Sequence, residues 1–415
     1  MIAYSKRFKR EEITINTKTM NLKYGLTQIF FFASICAMMG YASNYLLGMG
    51  CSNSEIGITL ALCSVIAVFL QPTLASIADR IETSKLNRMI QLILAITIVF
   101  SLILYFIPLP QMALLGCVVV VFSLTSSLMP LINALAFVFE KYGCKINFGL
   151  ARGLGSGAYA LTSMIIGYVV NAVDITIMPF AYILFNGLLY IVISTYHIGK
   201  AETEGEQSEK TEEAQASNQM SMFAFIMKYK RLVLFFAGFV CVYFAHTIIN
   251  NFFIQVVTNV GGTDSDMGNA ISLAAFLEIP IMFLFNKINT KIKITTLLRA
   301  SLLCFALKHL LTYLATNMFM VYAAQVLQMG AFALFTPAAV YYVNQLVSKE
   351  DMVKGQSLLT ASQTLSGVFA SLLGGILLDS IGVQTSLMIG AILSFVGLAI
   401  GFVSIEHVAH ETQEA

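Results

Sequence analysis

The sequence predicts an all-α membrane protein, with twelve transmembrane helices in two six-helix halves. Three observations predict it. The 415-residue chain is 58% apolar and 11% charged, with mean hydropathy +0.80, whereas average soluble proteins are roughly 25% charged. Its apolar residues fall into twelve runs of the length that crosses a bilayer, about 20 residues per helix. Its Lys and Arg residues cluster on alternate connections, as they do where cytoplasmic loops hold the positive charge.

The expected spans are residues 24–48, 55–78, 87–107, 111–139, 149–171, 177–197, 232–257, 267–286, 295–315, 318–346, 355–378 and 384–405, numbered 1 to 12. Of the 24 Lys and Arg residues, six precede span 1, three lie between spans 2 and 3, and three lie around the 4–5 connection. Five lie between spans 6 and 7, four around the 8–9 connection and two between spans 10 and 11. The last is Lys308, inside span 9, and the opposite connections carry none. Both termini are therefore expected in the cytoplasm, with the chain in the plasma (cytoplasmic) membrane. Residues 1–23 read as a cytoplasmic tail, 24–198 as the first half, 199–230 as a linker, 231–405 as the second half and 406–415 as a second tail. Residues 199–221 hold six Glu, two Lys and almost no apolar side chain, too little to build a core. Met222–Lys230 reads as a short amphipathic lead-in at the membrane surface.

The second half reads as a copy of the first. Pro72 and Pro280 fall in spans 2 and 8, and Pro130 and Pro337 in spans 4 and 10, at offsets of 208 and 207 residues. Asn44 and Asn251, in spans 1 and 7, are also 207 apart. Matching offsets in corresponding helices fit a parallel repeat about an axis along the membrane normal.

The intramembrane polar residues then become the candidates for function. Glu278, two residues before Pro280, is the one acid placed at mid-membrane depth. A charge there costs at least about 2.5–3.5 kcal/mol, so it has to face a protein interior or a water path. Lys308 lies at similar expected depth on the next helix. The two read either as a proton-sensitive pair or as a static ion pair locking two helices. His246 is a candidate proton carrier, since histidine titrates near neutrality, or a neutral hydrogen-bonded ring. Arg152, at the start of span 5, either holds substrate or snorkels to the interface beside Glu140. Asn44, Asn133, Asn250, Asn251, Gln325, Gln328 and Gln363 read as a polar cavity or as interhelical glue. Trp is absent, and Tyr41, Tyr45 and Phe252 are the aromatics that would take its place against a sugar ring.

Several stretches resemble the major facilitator superfamily. The connection Ala75-Ser-Ile-Ala-Asp79-Arg80-Ile-Glu82-Thr-Ser-Lys85 is similar to its Gly-x-x-x-Asp-Arg-x-Gly-Arg-Lys motif, with both glycines replaced. Asp79 and Arg80 would there grip helix ends as a conformational gate. Phe148-Gly-Leu-Ala-Arg152-Gly-Leu-Gly-Ser156-Gly, Gln325-Val-Leu-Gln328-Met-Gly-Ala-Phe332 and Gly374-Gly-Ile-Leu-Leu-Asp379-Ser-Ile-Gly382 resemble the lactose permease-like branch of oligosaccharide–proton and nucleoside–proton symporters. The resemblance implies that spans 1, 4, 7 and 10 line the path and that an acid of span 8 serves substrate and proton. Its departures are informative. The span-4 carboxylate of that branch corresponds to Ala136, and the span-10 histidine and glutamate to Gln328 and Ala331. Two acid–lysine bridges correspond to His246 with Gln325 and Tyr243 with Gln363, so each is lost whole, which argues against lactose as the solute. Asn133, three residues after Pro130, is similar to the nucleoside-type members.

The expectation is a secondary transporter moving a small polar solute, sugar or nucleoside, by proton symport and alternating access. Asn44, Asn133, Arg152, Asn251, Glu278, Lys308, Gln325 and Gln328 are expected to bind substrate, and Glu278, Lys308 and His246 to couple the proton. The alternatives are a proton-antiport exporter of drugs or metabolites, a uniporter, and a non-transporting receptor or scaffold. Partners are the solute, the proton and the lipid bilayer, and the chain is expected to act as a monomer. No enzyme activity, cofactor, metal or nucleic acid is expected. The chain has no P-loop, HExxH, dinucleotide fingerprint or CxxC pair, and its net charge of +2 favours no polyanion.

Overall fold

The computed structural model describes residues 17–80, 83–141, 144–196 and 221–406. The expected N-terminal tail up to residue 16, most of the linker and the end of the C-terminal tail lie outside the described residues. Among those described there is no strand, and eleven helical segments are long and apolar enough to cross a membrane. The last, Met352–Ser404, bends at Gly382, whose φ of 78° only glycine adopts readily. Its arms, 352–381 and 383–404, bring the crossings to twelve.

In order, span 1 is Thr17–Ile35, a π-helical turn Cys36–Gly40 and a short helix Ala42–Gly48. Spans 2 to 6 are Asn53–Arg80, Thr83–Phe106, Gln111–Lys141, Phe148–Ala172 and Met178–Ser194. The lead-in is the helix Met222–Lys228, capped by the Ser221 side chain on Ala224 N–H. Span 7 is Lys230–Asn251 continued by Phe253–Asn259, span 8 is Asp264–Asn289 and span 9 is Ile294–Tyr313. Span 10 is Met318–Val326, a 3-10 turn Leu327–Met329, and Phe332–Leu346. The four intrahelical prolines fall in spans 2, 4, 8 and 10, as expected. Spans 1 and 7 leave helical geometry at corresponding points, Tyr41 (φ −109°, ψ 17°) and Phe252 (φ −116°, ψ 37°). Span 1 starts at Thr17 rather than near Tyr24, because a helix can run past the hydrocarbon edge where Lys18 and Lys23 meet polar surroundings.

The apolar core explains how the halves sit together. At the end where the termini lie there are two separate cores. One is built on Tyr24, Phe31, Leu131 and Phe139, the other on Phe235, Leu298, Phe335 and Tyr342. At the far end one core takes Tyr41, Tyr45 and Ile56 from the first half and Ile248, Phe252 and Leu378 from the second. Two glycine crossings close this far end. Gly57 and Gly375 bring spans 2 and 11 together so tightly that a Cβ on either would strike the other helix's backbone. Gly167 and Gly268 do the same for spans 5 and 8. Among the described residues, every hydrogen bond between halves lies here.

The far-end bonds use few charges. Asp379 of span 11 accepts from Asn53 N–H (3.2 Å) and Nδ2 (2.9 Å) and from Ser54 N–H (2.7 Å) and Oγ (2.6 Å). It thereby caps the first turn of span 2, where free N–H groups favour an anion. Gln255 Nε2 donates to Ser43 Oγ and Asn53 Oδ1, both at 2.7 Å. Asn44 Nδ2 donates to Asp264 Oδ1 at 2.5 Å.

The crossings predict a shift of state. Gly57→Val or Gly375→Val should disfavour the far-end closure by at least about 1.4 kcal/mol, roughly a tenfold change in population. Electron–electron distances between spin labels at the far ends of spans 2 and 11 should then show a longer-distance population. Unchanged distances would mean that the contact does not hold the closure.

Candidate functional site

Separate cores at one end and a joint core at the other leave a space between the halves. It is a cavity of about 650 Å³ with walls from spans 1, 5, 7, 8 and 10. A second space of about 380 Å³ adjoins it, walled by spans 1, 2, 4, 7 and 11 and sharing Met39, Tyr243 and Asn251 with the first. Span 5 presents Gly149, Arg152, Gly153, Ser156 and Tyr159 to the main cavity, and span 8 presents Ile271, Ala275, Glu278 and Met282. Both series repeat at three- and four-residue steps, which place side chains on one helical face.

The wall of the second half holds a polar chain. Gln328 Nε2 donates to Glu278 Oε1 at 2.8 Å, and Lys308 Nζ donates to Gln328 Oε1 at 2.5 Å. Glu278 and Gln328 line the cavity, while Lys308 is fully buried behind them. The expected Glu278–Lys308 pair is therefore corrected in one respect: the two charges meet through an amide rather than directly. No helix geometry at the level of sequence foretells which side chain will stand between two others. The position where the related branch carries a histidine here carries the connector.

His246 lies beside this chain, stacked on Phe332 at 5.7 Å between ring centroids and edge-on to Phe305 at 5.1 Å. Asn250 Nδ2 lies 3.0 Å from its Nε2, and its Nδ1 is buried with no partner. Asn251, on the next face, donates to Ser371 Oγ at 2.8 Å.

The opposite wall is different. The Arg152 guanidinium sits 4.1 Å from the centre of the Phe32 ring and makes no hydrogen bond or ion pair among the described residues. Its Nη1 is shut off from solvent without a partner. Pairing with Glu140 does not occur. Gly153 lets the Phe283 ring of span 8 approach, with 3.3 Å between the ring and where a Cβ would stand.

The structure thus gathers Arg152, His246, Asn251, Glu278, Gln325 and Gln328 on one cavity, with Lys308 one layer behind. Two expected binding residues stand elsewhere. Asn44 is held by Asp264 in the far-end closure, so it is a closing group in this state. Asn133 accepts from Gln28 Nε2 at 3.4 Å and lines neither cavity. Span 4 instead gives Phe122 and Ser126 to the smaller space, and spans 5 and 8 take its expected place at the larger. Asp79 and Arg80 end span 2, but their side chains lie outside the described residues. Tyr41, Tyr45 and Phe252 are sealed in the far-end core, and the aromatic lining is Phe32, Phe148, Tyr159, Tyr243, Phe253, Phe283 and Phe332. The repeat of span 5 at 149, 152, 153, 156 and 159 is the signal that marks several of these in the sequence.

Comparisons with known proteins agree with this geometry. Residues 21–388 match the profile of the MFS_1 like family. The chain is 22% identical over 353 residues to the uncharacterized transporter YwbF of Bacillus subtilis (strain 168), covering 84% of each protein. Over 125 residues, 30% of this chain and 31% of the relative, it is 32% identical to a Deinococcus radiodurans protein named "Putative sugar efflux transporter". A crystal structure of the nucleoside transporter NupG superposes with a TM-score of 0.71 at 14% identity, over 93% of this chain and 98% of that one. A bacterial homolog to the human lysosomal transporter Spinster, inward-facing and unoccupied, superposes at 0.64 with 13% identity, over 94% and 96%.

The polar chain predicts a coupled stability effect. Lys308→Met should cost about 3–5 kcal/mol, because it strands one end of a buried charge network. The double variant Lys308→Met/Glu278→Gln, which removes both charges, should recover most of that loss. Unfolding of the purified protein in detergent reads both, and strictly additive losses would show that the three residues do not act as a unit.

Proposed function

The chain belongs to the MFS_1 like family of the major facilitator superfamily, and from that premise we propose that this membrane transporter moves a small polar solute of the sugar or nucleoside class by proton symport. The observation that carries the reading is the Glu278–Gln328–Lys308 chain on the wall of a cavity between halves that share an apolar core at one end only. With the termini in the cytoplasm, as the Lys and Arg distribution argues, the open end faces inward.

In the proposed cycle Glu278 takes the proton. Its charge anchors the Gln328 amide, and through it offsets Lys308 in a low-dielectric wall. Protonation removes that offset and loosens the Gln328 amide from the acid, so that Gln328, still held by Lys308, can turn its donor toward the cavity. Neutral donors and acceptors on Tyr243, Asn250, Asn251 and Gln325 surround the same space and suit hydroxyl-rich solutes. Breaking the far-end bonds and closing the other end then exposes the cavity to the opposite side. His246, unpartnered at Nδ1, is a second proton position beside the chain.

A second reading is a proton-antiport exporter, in which the proton and the solute occupy the site in turn rather than together. The name of the Deinococcus radiodurans relative favours that version, and the direction of flux separates the two.

Proteoliposomes supply the test. With an inward proton gradient, wild type is expected to accumulate at least one member of a labelled sugar and nucleoside panel. Glu278→Gln should lose accumulation by roughly tenfold or more, while still exchanging internal for external solute, because only the energised step needs the proton. Equal accumulation by Glu278→Gln would show that the proton site is elsewhere. Extrusion driven by the gradient would establish the antiporter.

A further inference from the structure

Three charged groups surround the main cavity, and they do not balance. Glu278 is the one carboxylate on its lining, and it is already engaged by Gln328, with Lys308 behind. That pair of charges sums to zero. Arg152 on the facing wall is then left over, with no hydrogen bond or ion pair among the described residues and with Nη1 buried and unpaired. Its one contact is the Phe32 ring, at 4.1 Å. A cation over an aromatic face is oriented and partly stabilised, but the ring accepts none of the guanidinium's five N–H groups. Arg152 is half-buried on the cavity lining, and its Nη1 is the part that neither solvent nor an acceptor reaches, which is costly. An anion that enters the cavity would answer it.

We propose that the transported solute carries a single negative charge, and that it is a sugar bearing a carboxylate, of the hexuronate class, with Arg152 as its counterion. The proposal rests on the transporter reading above and narrows its substrate. The planar fork of arginine matches a carboxylate with two parallel hydrogen bonds. With Glu278 ionised, a monoanion brings the cavity to neutrality and a neutral sugar leaves it positive. The remaining lining suits the rest of such a molecule. Ser156, Tyr159, Asn250, Asn251 and Gln325 offer neutral polar groups to hydroxyls, and Phe283 and Phe332 offer flat faces to a pyranose ring. Protonation of Glu278 adds one more positive charge to the site. Proton and carboxylate therefore favour each other's binding, which is what coupling an anion to a proton requires.

The test uses full-length protein, in detergent for thermal stability and in proteoliposomes for uptake. The probes are D-glucuronate and D-galacturonate, their neutral counterparts D-glucose and D-galactose, D-glucuronamide, and uridine. The uronates should raise the melting temperature and enter roughly tenfold or more faster than the neutral sugars at equal concentration, the scale of a lost charged hydrogen bond. Glucuronamide, which keeps the shape and loses the charge, should fall with the neutral sugars; this arm needs no variant. Arg152→Gln should raise the uronate KM by a similar factor with a melting temperature no lower than wild type in the absence of solute, and Arg152→Lys should restore part of the affinity. If neutral sugars or uridine are taken up while uronates neither enter, compete nor stabilise, the anion proposal falls and the transporter reading stands. If no probe enters or stabilises, both fall.

Discussion

Charge matching inside a low-dielectric wall is the constraint on which this structure turns. A membrane interior offers no water to solvate an ammonium or a carboxylate, so each must find its answer within the protein. Lys308 and Glu278 do so through Gln328, and their positions on spans 9, 8 and 10 fix how those helices face one another. The contrast with the surface is sharp. Lys228 and Asp351 pair at 2.9 Å and tie the lead-in helix to the 10–11 connection, but the lysine is nearly half exposed, so the pair contributes little. The buried chain is where a change of one proton alters the balance of the whole wall.

The second constraint is that the closed end must be able to open. Its bonds are made by neutral amides, hydroxyls and N–H groups, with just two acids among the acceptors, Asp264 and Asp379. A neutral bond is worth about 0.5–1.5 kcal/mol net and one to a carboxylate about 1.5–3, because water replaces it when it breaks. An arginine–carboxylate lock would be harder to exchange for water. Close approach through Gly57, Gly375, Gly167 and Gly268 supplies the rest of the closure by packing, which is lost all at once when the helices part. A closure made this way holds one state firmly without placing the other out of reach, as two interconverting states within a few kcal/mol require.

The twelve crossings, the four prolines, the lead-in helix and Glu278 at the cavity were legible in the sequence because each depends on one number, the position along a span. Failures came where a second coordinate mattered. Asn44 and Asn133 sit at reasonable depths, yet one is caught by Asp264 from the other half and the other by Gln28 from span 1. Which face of a helix meets which neighbour is decided by tertiary packing. Tyr41, Tyr45 and Phe252 failed for the same reason: each adjoins a break in its helix that turns it into the joint core. The stripe on span 5 was readable as periodicity, but small residues at helical spacing also mark ordinary close packing. The bend at Gly382 hid a boundary in the opposite sense. There the sequence separates spans 11 and 12, at 355–378 and 384–405, and the structure turns between them at Gly382 without a loop.

Gln328 shows why an amide is a useful thing to put between two charges. A direct contact between Lys308 and Glu278 would favour the doubly charged form strongly, and a proton would compete poorly for the carboxylate. Without any connection, Lys308 would be stranded in a dry wall. One amide resolves the conflict, since its oxygen accepts from the lysine while its nitrogen donates to the acid. The chain has a direction, so the two charges sense each other through a polarised group rather than in contact. Glu278 stays at the cavity surface, within reach of water and a proton, and Lys308 stays where only the amide can address it. In the proposed cycle this spacing would let the acid exchange its proton while the lysine still senses the change.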